Sequence, residues 1–234
     1  MIEARDLYRI YTMGKVKVNA LNGVSIRIRK GEFVGVVGPS GSGKSTLMHL
    51  LGLLDYPTSG EIIIDGIDTG TLTKDQRADF RLQRLGYVFQ EYALVPELTV
   101  YENVILPFMV RDEPRNRSHE QVMKILEIIG LGERTGHLQN ELSGGEQQRV
   151  AIARAIAGKP TILFADEPCA NLDTENSRVI LDLFADINQE MNQTIVMVSH
   201  EDWHQEYFER IIKLRDGKRE DASDISRDEK PGLP

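Results

Sequence analysis

The chain is poor in cysteine and tryptophan, with one of each in 234 residues, and it has no long apolar run. Cys169 alone cannot close an intrachain disulfide, which fits a reducing compartment. A membrane-spanning helix needs roughly 18 to 20 consecutive apolar residues. The best stretches, LMHLLGLL (47–54) and VILPFMV (104–110), are too short. The opening MIEARDLYRI carries acidic side chains where a secretory signal has a basic start and an apolar centre. The expected location is the cytoplasm. Basic charge is also short: 28 Lys and Arg against 36 Asp and Glu leave a net charge of −8. A partner held mainly through its phosphate backbone is therefore not expected, and no nucleic acid is predicted. The length suits one large domain or a domain with an inserted lobe.

Two kinds of strand are present. Val24, Ile26 and Ile28 alternate with Ser25, Arg27 and Arg29, the pattern of a strand with one wet face. GEIIIDG (60–66) supplies another, and with the N-terminal segment they predict a mainly antiparallel sheet. FVGVV (33–37), TILFA (161–165) and TIVMV (194–198) are continuously apolar, as strands covered on both faces tend to be. Each runs into a polar cluster: GPSGSGKS, DEP and SH. Ligands collect beyond the carboxyl ends of parallel strands, so these clusters should converge on one crevice. Helical patterns lie between, notably 47–54 and 177–190. Residues 91–129 read as a separate, mostly helical lobe. Its helix from Ser118 carries Val122, Met123, Leu126 and Ile129 on one face and stops at Gly130. RIIKLRDGKRE reads as a hairpin turning at Asp216 and Gly217, and the polar tail beyond Lys218 is expected to fray.

GPSGSGKS fits G-x-x-x-x-G-K-[ST], with a buried strand before it and a helical pattern after it. Glycines at 38, 41 and 43 let the backbone wrap phosphates, while the following helix aims its positive end at them. Lys44 reaches the β- and γ-phosphates and Ser45 holds Mg²⁺. The predicted fold class is accordingly α/β: a P-loop NTPase core with a mainly parallel sheet, an antiparallel β subdomain and an inserted helical subdomain. No guanine-reading Asn-Lys-x-Asp element is present. Arg111, Arg115 and Arg117 imitate a kinase lid, but the intervening Glu113, Pro114 and Asn116 mark an ordinary solvated loop.

Asp166 and Glu167 follow a buried strand. An Asp there can complete the Mg²⁺ shell opposite Ser45, and the adjacent Glu can accept a proton from an attacking water. His200 follows the third buried strand and can donate to the γ-phosphate. His49 is assigned to packing within an apolar helix; His119, His137 and His204 have no metal-site spacing. Gln90, read alone, is an ordinary surface residue.

A second glycine loop, LSGGEQQR (142–149), poses a question, since the first can already hold a nucleotide. Ser143 can cap a helix whose body begins near Glu146, with Val150, Ala153 and Ala157 as its packing stripe. That makes Ser143, Gly144 and Gly145 a second anion-seeking helix start. One compact chain struggles to place both loops around one nucleotide. Two copies facing head to tail solve the geometry.

In this set of motifs the chain resembles the ATP-binding subunits of ABC transporters, from Met1 to about Lys218. Gly38, Pro39, Ser40, Gly41, Ser42, Gly43, Lys44 and Ser45 resemble Walker A, and Thr46 follows them. Gln90 resembles the Q-loop; LSGGE, ending at Glu146, the signature; ILFAD with Glu167, Walker B and its catalytic glutamate. His200 resembles the switch histidine, Asn171 to Asp173 the D-loop, and Tyr11 the aromatic that stacks on adenine. The resemblance implies that Gln90 is a ligand of Mg²⁺ and water and a lever toward a membrane partner. It implies catalytic roles for Glu167, His200, Gln90 and Lys44, a metal set of Ser45, Gln90 and Asp166, and nucleotide contacts from Asp173 and the signature.

The implied layout is one ABC-type ATP-binding domain over residues 1–218, with a helical subdomain over about 91–155 and a polar tail over 219–234. GLLDYPTSGEIIIDG with LVPELTVYENVILP resembles the lipoprotein-release and macrolide-export branch, from which Cys169 and Ala170 depart. Cofactors are ATP and Mg²⁺. Partners are a second copy in an ATP-bound dimer and permease subunits, which implies a peripheral place on the inner face of the cell membrane. The alternatives are a soluble ABC-type ATPase of DNA maintenance or chromosome handling, and a regulatory module that senses ATP. The first usually needs a coiled-coil insertion between Lys44 and Leu142 for which there is no room. The second should lack Glu167 or His200.

Overall fold

A computed structural model describes residues 1–220. Strands β1 (Ile2–Met13) and β2 (Val16–Ile28) form a long hairpin, followed by β3 (Phe33–Val37), the phosphate loop and α1 (Lys44–Leu51). Then come β4 (Ser59–Ile64), β5 (Ile67–Asp68), α2 (Lys74–Arg84) and β6 (Leu85–Val88). Three helices follow: α3 (Val100–Val110), α4 (Arg115–Ile128) and α5 (Gly144–Ala157). The chain returns through β7 (Ile162–Asp166), α6 (Thr174–Met191), β8 (Thr194–Val198), β9 (Arg210–Arg215) and β10 (Lys218–Arg219).

Two sheets result, as the two kinds of strand require. The antiparallel one runs β2-β1-β4-β5; the other runs β10-β9-β3-β8-β7-β6, parallel from β9 to β6 with β10 antiparallel at its edge. In β2 the expected alternation holds, with Val24, Ile26 and Ile28 buried and Ser25 and Arg27 exposed, but pairing with a bulged β1 extends the strand back to Val16. β3 and β8 are buried throughout. Their side chains divide by alternation. Val34, Val36, Val196 and Val198 pack toward α1 and the antiparallel sheet; Phe33, Val37, Ile195 and Met197 pack toward the helices.

The helical lobe packs onto the sheet through a common core. Val104, Phe108, Val122 and Leu126 share one apolar cluster with Leu163 and Ala165 of the sheet. The reason is α5, which is buried on nearly every side: Ala151, Ile152 and Ile156 join the expected Val150, Ala153 and Ala157. Helix α4 begins at Arg115, before Ser118, and Ser118 Oγ instead donates to the Pro114 carbonyl. Arg111 is not a solvated loop residue either. Its Nη1 donates to the Gly158 carbonyl at 2.7 Å and its Nη2 to that of Leu82, tying the end of α3 to the ends of α5 and α2. Arg115 and Arg117 lie on α4.

The hairpin near the end turns at Asp216 (φ 50°) and Gly217 (φ 72°), both left-handed as a tight two-residue turn demands. Its Gly217 N–H donates to the Ser42 carbonyl at 3.1 Å, so this turn props the phosphate loop. β10 reaches Arg219, one residue into the expected tail; Glu220 follows, its N–H donating to the Lys213 carbonyl at 3.0 Å, and 221–234 lie outside the described residues.

Phe208 closes the sheet from the helical side, edge-on to Phe33 with centroids 5.4 Å apart, and its ring lies over Gly35. A Cβ at Gly35 would overlap that ring. Gly35→Ala should therefore cost about 1–3 kcal/mol through overpacking. Thermal melts should show the loss, and adding Phe208→Leu should recover part of it.

Candidate nucleotide site

The phosphate loop is shaped by positions where no side chain fits. Gly43, at φ 99°, is the N-cap of α1, and a Cβ there would overlap the Ala20 carbonyl of β2. Gly38, at φ 152°, is equally tight against the Leu214 carbonyl. With no side-chain cap, the first N–H groups of α1 are left for an anion. Lys44 is buried, and its Nζ donates to the carbonyls of Gly38 (2.9 Å) and Pro39 (3.1 Å). An ammonium has three donors, so one remains for a phosphate.

Because β3, β8 and β7 are neighbours, their carboxyl ends bring the three polar clusters together. Ser45 Oγ donates to Asp166 Oδ1 at 3.3 Å. Burial raises the Asp166 carboxyl above its usual range; His49, Ser45 and Lys44 counter this only in part. A cation beside it would relieve that penalty, and a hydroxyl plus a carboxylate are the hard oxygen donors that Mg²⁺ takes. Among the described residues no group of three or more His, Cys, Asp or Glu could hold a metal ion. The donor set therefore fits an ion that brings phosphate oxygens of its own.

Glu167 sits at φ 47°, a left-handed conformation that non-glycine residues adopt at a cost. Its N–H donates to the Val198 carbonyl at 3.2 Å, and Oε2 lies 3.3 Å from Nδ1 of His200. The other ring nitrogen of His200 is 3.2 Å from Glu201 Oε1. Lys44, Ser45, Thr46, Glu167 and His200 border a cleft of about 590 Å³. Ser40, Gly41 and Gly43 share it, and so do Val18, Asn19 and Ala20 of β2, which no motif announced.

His49 is not a packed core residue. Its side chain is 41% exposed and Nε2 lies 3.7 Å from Asp166 Oδ2. One helical turn beyond Ser45, it occupies the same face of α1, and that spacing was the available signal. Other expected residues stand apart from the cleft. Tyr11 pairs across the hairpin with Val18, donates its hydroxyl to Asp55 Oδ2 at 3.0 Å and lies 4.5 Å beneath the Arg9 guanidinium. Gln90 is exposed and its carbonyl accepts from Asn171 Nδ2 at 3.1 Å. Asp173 caps α6, accepting from Asn176 N at 2.8 Å. Gly38 and Pro39 border an adjoining hollow with His200, and Ser42 Oγ is buried without a partner.

The second glycine loop forms a closed capping box. Ser143 Oγ accepts from Glu146 N at 3.3 Å, while Ser143 N donates to Glu146 Oε2 at 2.8 Å. That main-chain hydrogen bond holds the Glu146 carboxyl below its usual range. The helix begins at Gly144, ahead of Glu146. A methyl on Gly144 would stand 3.0 Å from the Tyr92 hydroxyl, and one on Gly145 2.8 Å from Asn176 Oδ1. None of Ser143, Gly144, Gly145 and Glu146 borders the phosphate cleft of its own chain. Arg154 of α5, which no pattern marked, donates to the carbonyls of Ala93 (2.7 Å) and Tyr92 (3.0 Å), two consecutive left-handed residues after Gln90.

Comparison with known proteins settles the family. The ABC transporter family profile matches residues 21–170. An uncharacterised ABC transporter ATP-binding protein of Methanocaldococcus jannaschii is 45% identical over 93% of this chain and 97% of its own length. The chain belongs to the ABC transporter family. The cassette is an ATP-binding ATPase subunit of the kind that powers transport, and the chromosome-handling alternative finds no support. It is 41% identical to the macrolide export ATP-binding/permease protein MacB of Bdellovibrio bacteriovorus, over 93% of this chain but 33% of that protein. The dimeric post-hydrolysis structure of the ATP-binding cassette MJ0796, bound to ADP and Pi, superimposes with a TM-score of 0.87 at 40% identity, covering 94% of this chain and 97% of that one.

At the Cys169–Ala170 departure the turn forms on two main-chain bonds, Ala170 N to Glu167 O and Leu172 N to Cys169 O, each 3.1 Å, and the Cys169 thiol donates to the Ser177 carbonyl at 3.8 Å. The Cys169 thiol is 6% exposed and burial pushes its pKa up to about 12. An aromatic disulfide reagent at pH 8 should therefore leave the native cassette unlabelled over hours and modify it within minutes in denaturant. Rapid labelling of the native state would contradict this placement.

Proposed function

We propose that two copies of the cassette close head to tail over two MgATP, each site built from the phosphate loop of one chain and the Ser143 loop of the other. The observation that carries this reading is that the capped start of α5, chemically suited to an anion, stands away from its own chain's cleft. The dimeric form of the MJ0796 relative is consistent with it. Since each copy carries a net charge of −8, nucleotide has to bridge surfaces that otherwise repel.

In this reading Lys44 and the start of α1 grip the phosphates. Ser45 and Asp166, joined by Gln90, would hold Mg²⁺, which would supply positive charge against the phosphates. Glu167 accepts a proton from the attacking water, in line with the leaving oxygen, and His200 donates to the γ-phosphate. Tyr11 stacks on the base and Asp173 faces the seam. Loss of the γ-phosphate removes the contact joining the halves. Among the described residues no helix is long and apolar enough to cross a membrane. In the macrolide-export relatives ATP-binding and permease functions are named together, and the chain spans about a third of their length. A membrane permease is accordingly the proposed second partner, with the cassette peripheral on the inner face.

Glu167→Gln should slow hydrolysis by roughly 10²- to 10⁴-fold and, with ATP, give a dimer by light scattering. A mutant that stays monomeric at saturating ATP refutes the shared site. Separately, Ser143→Ala should abolish hydrolysis and leave ATP binding by the single chain within about twofold, because it acts only across the seam. Calorimetric titration of the monomer checks the second outcome.

A further inference from the structure

His200 is carried on an arch, residues 199–201, that leaves the end of β8 and enters a short 3₁₀ turn spanning Asp202–Tyr207. Within that turn lies His204, a histidine the proposed chemistry does not use. It is 4% exposed, and its Nδ1 lies 2.7 Å from Ser199 Oγ, which is itself 3% exposed. The same hydroxyl oxygen accepts the Glu201 N–H at 3.2 Å. Ser199 N–H donates to the Val36 carbonyl of β3, and His204 N–H to the Glu201 carbonyl, each at 3.2 Å. One hydroxyl therefore gathers both feet of the arch, and the imidazole holds that hydroxyl in place. Trp203 stands edge-on to the imidazole, 4.3 Å between centroids at 85°, and limits its rotation.

The other ring nitrogen, Nε2, is buried without a hydrogen-bond partner. A native protein seldom accepts that cost in a core unless the ring does something an apolar side chain could not. A small cavity of about 130 Å³ is bordered by Glu167, Ser199, His200 and His204 together. Burial lowers the His204 pKa, which keeps the ring neutral at physiological pH.

We propose that His204 is a positioning residue for hydrolysis: through Ser199 Oγ it sets the arch that holds His200 between Glu167 and Glu201. The inference rests on the reading of Glu167 and His200 given above. It acts on the reacting geometry and not on nucleotide affinity, because the phosphate loop is gripped by Lys44 and propped by Gly217 independently of this arch.

The test uses steady-state hydrolysis and ATP binding by the full chain. His204→Leu should lower kcat roughly tenfold while KM and the ATP dissociation constant stay within about twofold, the signature of a contact felt in the transition state. His204→Asn, which keeps a hydrogen-bonding group at the position of Nδ1, should recover most of the rate. Ser199→Ala should match His204→Leu, and the double variant should be no slower than either single one, since both break one interaction. An unchanged kcat, a parallel loss of ATP binding, failure of Asn to rescue, or additive losses each overturn the proposal. Should Leu prevent folding, the Asn variant and the Ser199→Ala comparison still decide. If Glu167→Gln hydrolyses ATP like the unmodified chain, the function reading has failed; if that variant is inactive and His204→Leu is not impaired, only this inference has.

Discussion

Parallel pairing of β3 with β8, and of β8 with β7, puts Val36 beside Val198 and Val198 beside Asp166. Three chain segments then leave the carboxyl end of the sheet from neighbouring strands, carrying the phosphate loop, the acid pair and His200. The pairing holds because both faces are covered, so alternate side chains load two different cores. A one-residue shift turns every side chain to the opposite face; with a core on each side the penalty is misfit, since the close approach of Phe208 over Gly35 would fall on a residue with a side chain. The chemistry of the cleft is thus anchored by strand register, and the glycines of the loop only shape what the register delivers.

The two helix starts that seek anions are built differently. α1 is capped by a left-handed glycine and offers bare N–H groups, backed by a buried lysine. α5 is capped by a closed serine box on a helix buried nearly all round. The first can fold about a phosphate from below; the second can only present a rigid end. In the proposed dimer that asymmetry makes one deep half-site and one shallow lid, carried by different copies.

Much of this was legible in residue patterns. Continuous apolar runs identified β3, β7 and β8, and alternation identified β2, because burial on two faces or one leaves different periodicities. GPSGSGKS, Asp166-Glu167 and LSGGE were legible because few other residue sets suit the chemistry proposed for them. What remained hidden depended on contacts between distant elements. Arg111 looked solvated because its carbonyl partners, Leu82 and Gly158, lie far away in sequence. The packing of the helical lobe on the sheet was hidden because the stripe of Val150, Ala153 and Ala157 marks one face of α5, while Ala151, Ile152 and Ile156 bury the others. His204 gave no signal at all: its meaning comes from one serine hydroxyl and a neighbouring ring.

The capping box at Ser143 also sets what its hydroxyl has left for a ligand. With one lone pair already receiving the Glu146 N–H, the hydroxyl keeps its hydrogen and a second lone pair to offer outward. Turned outward, that hydrogen can meet an acceptor such as a terminal phosphate oxygen without breaking the box. Threonine would keep both the cap and the outward hydroxyl, whereas alanine would leave the helix end with its backbone N–H groups alone.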